Sequence, residues 1–293
     1  MTIHCLTAVY NRQVKTLKSI NDIYQQAIKL NHKIIFWIIE AGNTNITKEI
    51  LKNFPIECIK IINVPDNTFW TSGMYIGLDF LKKNAKSEDL IILFNNDIRV
   101  PKNTLSNMER RINQNPKSAI SPICMSINNR KTVSTGTIVK NWFICLHKSM
   151  FVNLKKKQLK NLKPITVEFM TQRFLCAPKK IFDLVGNYNH KILPHYGGDD
   201  EFTFRMGKKG INVILDPSFY VYIDDRDTGL NPLYRTLNFK QRFQSLFSVK
   251  STNHLLTTIK FSLLVAPFYT QPFNVIIMCI KAILRAFFLS PKK

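Results

Sequence analysis

Five consecutive large apolar residues, Leu90 to Phe94, run directly into Asn95, Asn96 and Asp97. An uninterrupted apolar run of that length reads as a strand buried on both faces, an environment found in parallel sheets covered by helices. Open α/β sheets gather their chemistry beyond the carboxyl ends of such strands, which is where Asp97 falls. Hard divalent cations take oxygen ligands, and Mg²⁺ or Mn²⁺ commonly sits between one or two carboxylates and a substrate diphosphate. Asp97, with Asn96 beside it, is therefore a candidate for metal and nucleotide, although an Asn-Asn-Asp turn is also ordinary loop chemistry.

The surrounding pattern supports the parallel sheet. Ile3 to Val9 reads as a strand, and Val14, Leu17, Ile20, Tyr24, Ala27 and Ile28 then recur at helical spacing. A second apolar run covers Ile34 to Ile39. Asn43, Thr44 and Asn45 form a polar turn, Thr47 is placed to cap a short helix, and Ile56 to Val64 reads as a third strand. Tyr75, Leu78 and Leu81 mark one face of the helix before the Leu90 strand. Strands and helices alternating at this length imply crossover connections, hence an α/β fold with helices on both faces. The first hundred residues read as a nucleotide-binding half.

Beyond Pro101 the pattern is less regular. A helix carries Leu105, Met108 and Ile112, and Ala119 to Cys124 and Thr132 to Lys140 are strand-like. Pro178 is placed as the first residue of a helix running through Val185 and ended by Gly186. A further helix through Phe202 and Met206 ends at Gly210, before a strand from Ile211 to Leu215 and a strand-like Tyr220 to Ile223.

At 293 residues and 45% hydrophobic, the chain can bury a large core as one domain or two coupled halves. Its charge of +23, from 42 Lys and Arg against 19 Asp and Glu, favours an anionic partner without naming one. Six cysteines form no CxxC pair and sit mostly in apolar runs, which suits reduced thiols and a cytoplasmic setting. The first twelve residues show no signal-peptide pattern. Lys140, Lys148, Lys155, Lys156, Lys157, Lys160 and Lys163 follow one another as either a solvated loop or a lid over an anionic acceptor.

Past residue 225 the chain is basic, with Arg226, Arg235, Lys240, Arg242, Lys250, Lys260, Lys281, Arg285, Lys292 and Lys293 facing only Asp227. Phe261 to Ile280 is uncharged, but Pro267 and Pro272 divide it into pieces too short to span a membrane. In the second piece Asn274, Lys281 and Arg285 form a polar stripe among aliphatic and aromatic residues. That is the pattern of a helix lying in a membrane interface with its charges reaching headgroups, with packing against the catalytic domain or an oligomer partner, and a true membrane span, as the alternatives.

Two more acidic segments could carry chemistry. In His195-Tyr196-Gly197-Gly198-Asp199-Asp200-Glu201 three acids open a helix, which the helix dipole alone favours. The apolar and aromatic context of Ile192, Tyr196, Phe202 and Phe204 could also desolvate one of them into a useful base. Asp224, Asp225 and Asp227 follow the last strand, as a solvated turn or a further metal or diphosphate contact. Asp66 to Gly73 places aromatic rings before a helix whose Gly73 and Gly77 allow close backbone approach.

Taken in order, residues 1 to 225 resemble the inverting family 2 glycosyltransferases of the GT-A fold. Leu6-Thr7-Ala8-Val9-Tyr10-Asn11-Arg12 is similar to the family's first strand and nucleotide-facing loop. Ile38 to Thr47 resembles its second donor segment, with Glu40 in place of the usual aspartate. Asn67 through Gly77, including Trp70 and Gly73, matches an Asn-aromatic-Gly-helix segment. Leu93 to Asp97 resembles the DxD-type metal motif with Asn95 in place of the first acid, so Asn96 and Asp97 inherit the donor and metal roles. Arg173, then Val185 to Tyr188, then Pro194 to Phe202 with Arg205, resemble the acceptor block. The resemblance gives Asp199 the role of catalytic base and places Arg173, His195, Tyr196, Asp200 and Glu201 around the acceptor. Asp224 falls near a further metal-ligand position.

The resemblance implies a GT-A, Rossmann-like sheet, mixed but mostly parallel, with a donor half over residues 1–100, an acceptor half over 101–225 and a basic helical extension over 226–293. It implies a nucleotide-diphosphate sugar donor, Mg²⁺ or Mn²⁺, and a glycan or lipid-linked acceptor in bacterial surface polysaccharide synthesis, lipopolysaccharide or capsule. The tail would hold the enzyme peripherally on the inner, anionic face of the plasma membrane. A nucleotidyltransferase would show a Gly-rich phosphate loop, and none is visible between Thr7 and Lys18. No nucleic-acid reader motif accompanies the basic charge, so no nucleic acid is expected. A membrane-bound scaffold with a decayed transferase fold is the third alternative.

Overall fold

The structure, a computed structural model, describes residues 1–10, 12–42, 46–224 and 237–288. Asn11, the turn Asn43 to Asn45, and Asp225, Arg226, Asp227, Arg235, Lys292 and Lys293 lie outside the described residues.

Its strands are β1 (Thr2–Tyr10), β2 (Lys33–Ala41), β3 (Ile59–Val64), β4 (Leu90–Phe94), β5 (Ile98–Arg99), β6 (Ser118–Ser126), β7 (Gly136–Asn141), β8 (Leu146–Ser149), β9 (Ile165–Thr166), β10 (Phe169–Met170), β11 (Phe174–Pro178) and β12 (Asn212–Ile223). Its helices are α1 (Gln13–Lys29), α2 (Ile46–Asn53), α3 (Trp70–Asn84), α4 (Thr104–Gln114), α5 (Lys156–Leu159), α6 (Lys179–Val185), α7 (Gly198–Lys208), α8 (Phe239–Ser245), α9 (Leu255–Val265) and α10 (Gln271–Phe288).

Nine strands form the main sheet, in the order β3-β2-β1-β4-β11-β6-β12-β5 with β9 beside β12. The first four pair in parallel, β11 runs antiparallel between β4 and β6, and β6 pairs in parallel with β12. Strands β10, β7 and β8 make a separate antiparallel sheet. Successive side chains of a strand face opposite ways, and the core divides accordingly. On one face Cys5, Phe36, Ile92 and Phe94 share a cluster with Ile20 and Ile23 of α1 and Met108 and Ile112 of α4. On the other, Leu6, Ile39 and Leu93 share one with Met74, Leu78 and Leu81 of α3 and with Phe182 and Phe202. Every residue of β4 is buried, as its unbroken apolar run requires. Helix α3 lies close to the sheet because Gly77 has no side chain: a Cβ there would fall 2.4 Å from Leu6.

Several local expectations are revised. Pro55 leads into a 3₁₀ turn over Ile56–Cys58, closed by a Cys58 N–H to Pro55 carbonyl bond of 3.0 Å, so the third strand begins only at Ile59. Thr47 lies inside α2, which starts one residue earlier at Ile46. Thr132 stands outside β7, joined to Met125 by an isolated bridge. Pro178 closes β11 and stands just before α6, whose end at Gly186 has φ +92°. The two strands expected between Ile211 and Ile223 are one, β12, bulged between Asp216 and Tyr220, where Pro217 has no N–H for the ladder. All seven lysines from Lys140 to Lys163 are exposed on β7, β8, α5 and their loops.

The C-terminal segment also differs from expectation. Pro272 occupies the first turn of α10, where a missing N–H breaks no bond, so only the stretch around Pro267 interrupts the apolar run. Phe268–Phe288 is then 21 residues, long and apolar enough by length and composition to cross a membrane, contrary to the short pieces expected. Its polar stripe also faces the protein. Asn274 donates to the Trp142 carbonyl at 3.0 Å and Lys281 to the Cys145 carbonyl at 2.6 Å, so the turn between β7 and β8 grips α10. Arg242 of α8 donates to the Ala286 carbonyl at 2.8 Å and holds the far end. The Lys281 ammonium therefore donates to backbone carbonyls of the protein. The outward face carries Leu263, Phe268, Phe273, Ile276, Ile280 and Leu284, all exposed.

Candidate active site

The parallel strands deliver their carboxyl ends to one edge of the sheet. Because β11 is antiparallel, with Phe174 opposite Phe94, the residues that precede it arrive at the same edge. There a cavity of about 1030 Å³ opens, lined by Tyr10, Ala41, Val64, Asn95 to Asp97, Thr171 to Arg173, Ile223 and Asp224 among others. It lies where β1 has β2 on one side and β4 on the other, the switch point at which such sheets bind ligands.

Helix α1 positions the Asp97 end. Fully buried Thr16 accepts a hydrogen bond from the Asn96 side chain at 2.8 Å, and Ser19 donates to the Asn96 carbonyl at 3.0 Å. Clamped this way, the turn presents Asp97 to the cavity, where it is ion-paired with Arg12 at the start of α1. One turn further, Lys15 reaches Asp224 at 3.3 Å.

The opposite wall is built by the starts of α3 and α7. Thr71 donates to the His195 carbonyl at 2.7 Å, and the Ser72 N–H donates to the Pro194 carbonyl at 3.3 Å. The helices meet at Gly198, where a Cβ would lie 2.4 Å from Thr71 Oγ1, and Gly197 takes the left-handed conformation at φ +79°. This double glycine lets α7 begin against α3 with Asp199 in its first turn, facing the cavity. Asp199 accepts from the Asp200 N–H at 3.0 Å, and the Gln172 amide donates to the Asp199 carbonyl at 3.5 Å.

Burial raises the Asp199 carboxyl above the usual range, opposed by its backbone hydrogen bonds and by the charge of Arg173. Asp200 is raised further, by burial and then by the charge of Asp199. A carboxylate kept short of solvent and raised in pKa is a stronger base than one in water. His195, packed against Phe69 and Tyr196, is pushed down to about 4 by burial and by the charge of Lys250, so it is neutral at neutral pH. Its buried Nδ1 has no partner among the described residues. Tyr196 feels both ends of the cavity: burial and Asp199 raise its phenol, and Arg12 lowers it.

Of the residues singled out in the sequence, the cavity gathers Tyr10, Arg12, Asn67, Trp70, Gly73, Asn96, Asp97, Arg173, His195, Tyr196, Asp199, Asp200 and Asp224. Thr7 and Glu40 are buried in β1 and β2 and do not line it. Glu201 points elsewhere. It pairs with Arg205 at 2.8 Å and accepts from Asn189 at 2.8 Å, while Arg205 donates to the Val185 and Asn187 carbonyls, tying α7 to the loop after α6. Sequence reading missed Gln172, buried beside Asp199 and accepting from the Tyr188 hydroxyl. It also missed a third wall, made by Lys250, Thr252, Thr258, Phe261, Met278 and Arg285 of the C-terminal segment. Phe261 lies 3.2 Å from the position a Gly197 Cβ would take, so this wall touches the loop that carries His195. Only the lack of charge around Phe261 hinted at it.

The donor chemistry suits a hard divalent cation. Asp97 and Asp224 bring carboxylate oxygens to one cavity with no thiol nearby, although no cluster of three ionisable ligands exists among the described residues. Such an open site fits an ion whose remaining ligands come from a diphosphate and water.

A mostly parallel sheet with helices on both faces, and acids from both halves of the chain meeting over its carboxyl edge, defines a GT-A type transferase fold. The sequence model of Glycosyl transferase family 2 matches residues 5–183, more than half of the chain, and the protein belongs to that family. No curated protein matches it by sequence. Among solved structures, GalNAc-T7 with UDP, GalNAc and Mn²⁺ superposes with TM-score 0.60 at 14% identity over 76% of this chain. The chain spans 44% of that larger protein. The mannosyltransferase PcManGT from Pyrobaculum calidifontis, with GDP-Man and Mn²⁺, gives 0.55 at 12% identity over 97% of this chain and 72% of its own. Residues 1–349 of TarS from S. aureus give 0.53 at 13% identity over 97% of this chain and 81% of that one. At these identities the likeness is one of fold.

Proposed function

We propose that the protein transfers a sugar from a nucleotide-diphosphate donor to an acceptor hydroxyl in one displacement with inversion, with Asp199 as the base. The observation that carries this reading is that Asp97 and Asp199, 102 positions apart in sequence, line one cavity at the switch point of the sheet. Tyr10, Asn67 and Trp70 border the donor end, and Arg12 places a fixed cation beside Asp97. Asp199, raised by burial, takes the proton of the acceptor hydroxyl. Arg173 steadies the resulting pair of acids, and neutral His195 offers its orphaned Nδ1 to the acceptor. A Mg²⁺ or Mn²⁺ ion held by Asp97 and Asp224 would supply charge to the diphosphate leaving group. The UDP, GDP-Man and Mn²⁺ named in two structural relatives support a donor and ion of these classes.

The acceptor class we favour is a glycan or glycolipid of bacterial surface polysaccharide synthesis, lipopolysaccharide or capsule. The enzyme would act in the cytoplasm at the inner face of the plasma membrane. The net charge of +23 and the exposed apolar face of α9 and α10 support that location. Incubation with a panel of nucleotide sugars, followed by mass spectrometry, tests the activity. Asp199→Asn should lower turnover by about 100- to 10,000-fold, the usual contribution of a positioned base, with donor affinity retained. Full turnover in that variant would remove the base assignment.

A further inference from the structure

Two cations in the cavity wall have no acid to answer them among the described residues. Arg285 of α10 and Lys250, before α9, both line the cavity, and among the described residues neither is ion-paired. Other cations near the cavity are matched: Arg12 to Asp97, Lys15 to Asp224, and the charge of Arg173 to Asp199 and Asp200. Arg285 donates its Nε to the Lys281 carbonyl at 3.1 Å, and neither Nη finds a partner among the described residues. Burial depresses its pKa, so the charge is held with reduced solvation. A guanidinium kept half-dry without a counter-ion is costly unless an anion arrives to meet it.

The position of these cations says which substrate they meet. Both belong to the C-terminal wall, whose Phe261 packs on Gly197; Lys250 acts electrostatically on His195 and so stands at the acceptor end, and Arg285 lines the same cavity. The donor end has its own cations in α1. Phe261 and Met278 give the same wall an apolar lining. Two cations with no acid between them among the described residues can balance the charge of a phosphate ester, whereas a single carboxylate would leave one uncompensated.

We propose that Arg285 and Lys250 form a phosphate subsite, so that the acceptor presents its hydroxyl to Asp199 from a molecule that also carries a phosphate ester. This inference rests on the transferase reading of the cavity. The test uses the full-length protein saturated with UDP or GDP and Mn²⁺, titrated calorimetrically with glycerol 1-phosphate, with dodecyl phosphate below its micelle concentration, and with glucuronate. At least one phosphate ester should bind and glucuronate should bind much more weakly. Preference for dodecyl phosphate indicates a lipid-linked acceptor, and preference for glycerol 1-phosphate a soluble or polymeric one.

Arg285→Gln and Lys250→Gln should each weaken phosphate-ester binding about tenfold, the scale of one charge-assisted hydrogen bond. Arg285→Lys should restore part of it, and affinity for UDP or GDP should stay within about twofold of the original. The proposal is overturned if the unaltered protein binds neither ester, if glucuronate binds as well, or if Arg285→Gln weakens nucleotide binding by the same factor, which would place Arg285 on the donor. Failure to bind any nucleotide or sugar nucleotide would instead strike at the transferase reading, while the ester titrations alone still decide the subsite.

Discussion

At the scale of single residues, the acids were readable by their place at element boundaries, at the end of a buried strand or in the first turn of a helix, although the helix dipole alone favours the second. Asp97 and Asp199 meet that description. Glu201 met it too, yet it ties α7 to the loop after α6, through Asn189 and through Arg205 one helical turn further along. Glu201→Gln should therefore lower stability by about 1–3 kcal/mol, the cost of a charged hydrogen bond lost in the interior, with kcat nearly unchanged. A large fall in kcat at unaltered stability would return Glu201 to the chemistry. His195 gives a pH signature. Its folded pKa of about 4 lies below the ordinary histidine value of 6.5, so the folded state resists protonation. Its contribution to stability is complete above about pH 6.5 and is lost as the pH falls toward 4. Replacing His195 by Gln should flatten the melting temperature across that interval, and an unchanged slope would show that His195 is not held neutral by the fold.

Among elements, strand and helix order through the first hundred residues followed from hydrophobic period alone, since buried parallel strands and two-sided helices leave the strongest pattern. The second half was harder to read. Strand β12 carries a bulge and a proline that split its pattern, and nothing local marks β11 as antiparallel, although that reversal brings Gln172 and Arg173 to the carboxyl edge. The junction of α3 with α7 was readable only as a pair of glycines, and its reason is tertiary: Gly198 has no room for a methyl beside Thr71. Gly198→Ala should cost about 1–3 kcal/mol through overpacking and displace Asp199, lowering kcat as well. Adding Thr71→Ala, which removes the two nearest atoms, should recover part of both in denaturant melts and turnover assays. No recovery would mean that the junction is not what sets the position of Asp199.

For the whole molecule, composition announced an unusual C-terminal segment but not the direction it faces. A polar stripe on an apolar helix looks the same in sequence whether it meets headgroups or protein. Here the carbonyls of the turn between β7 and β8 capture Asn274 and Lys281, turn Arg285 toward the cavity and leave the aliphatic face outward. If that face docks on lipid, the intact protein should float with anionic liposomes at high salt as well as low, because apolar contact survives screening. Replacing Phe273, Ile276 and Ile280 by Ser should release it, and flotation that collapses with salt alone would assign membrane contact to charge. The most direct test of the account is a crystal structure with an unreactive sugar-nucleotide analogue bound. It should place the diphosphate beside Arg12 and Asp97 and direct the sugar toward Asp199. A nucleotide bound away from Asp97, or a sugar pointing out of the cavity shared with Asp199, would contradict it.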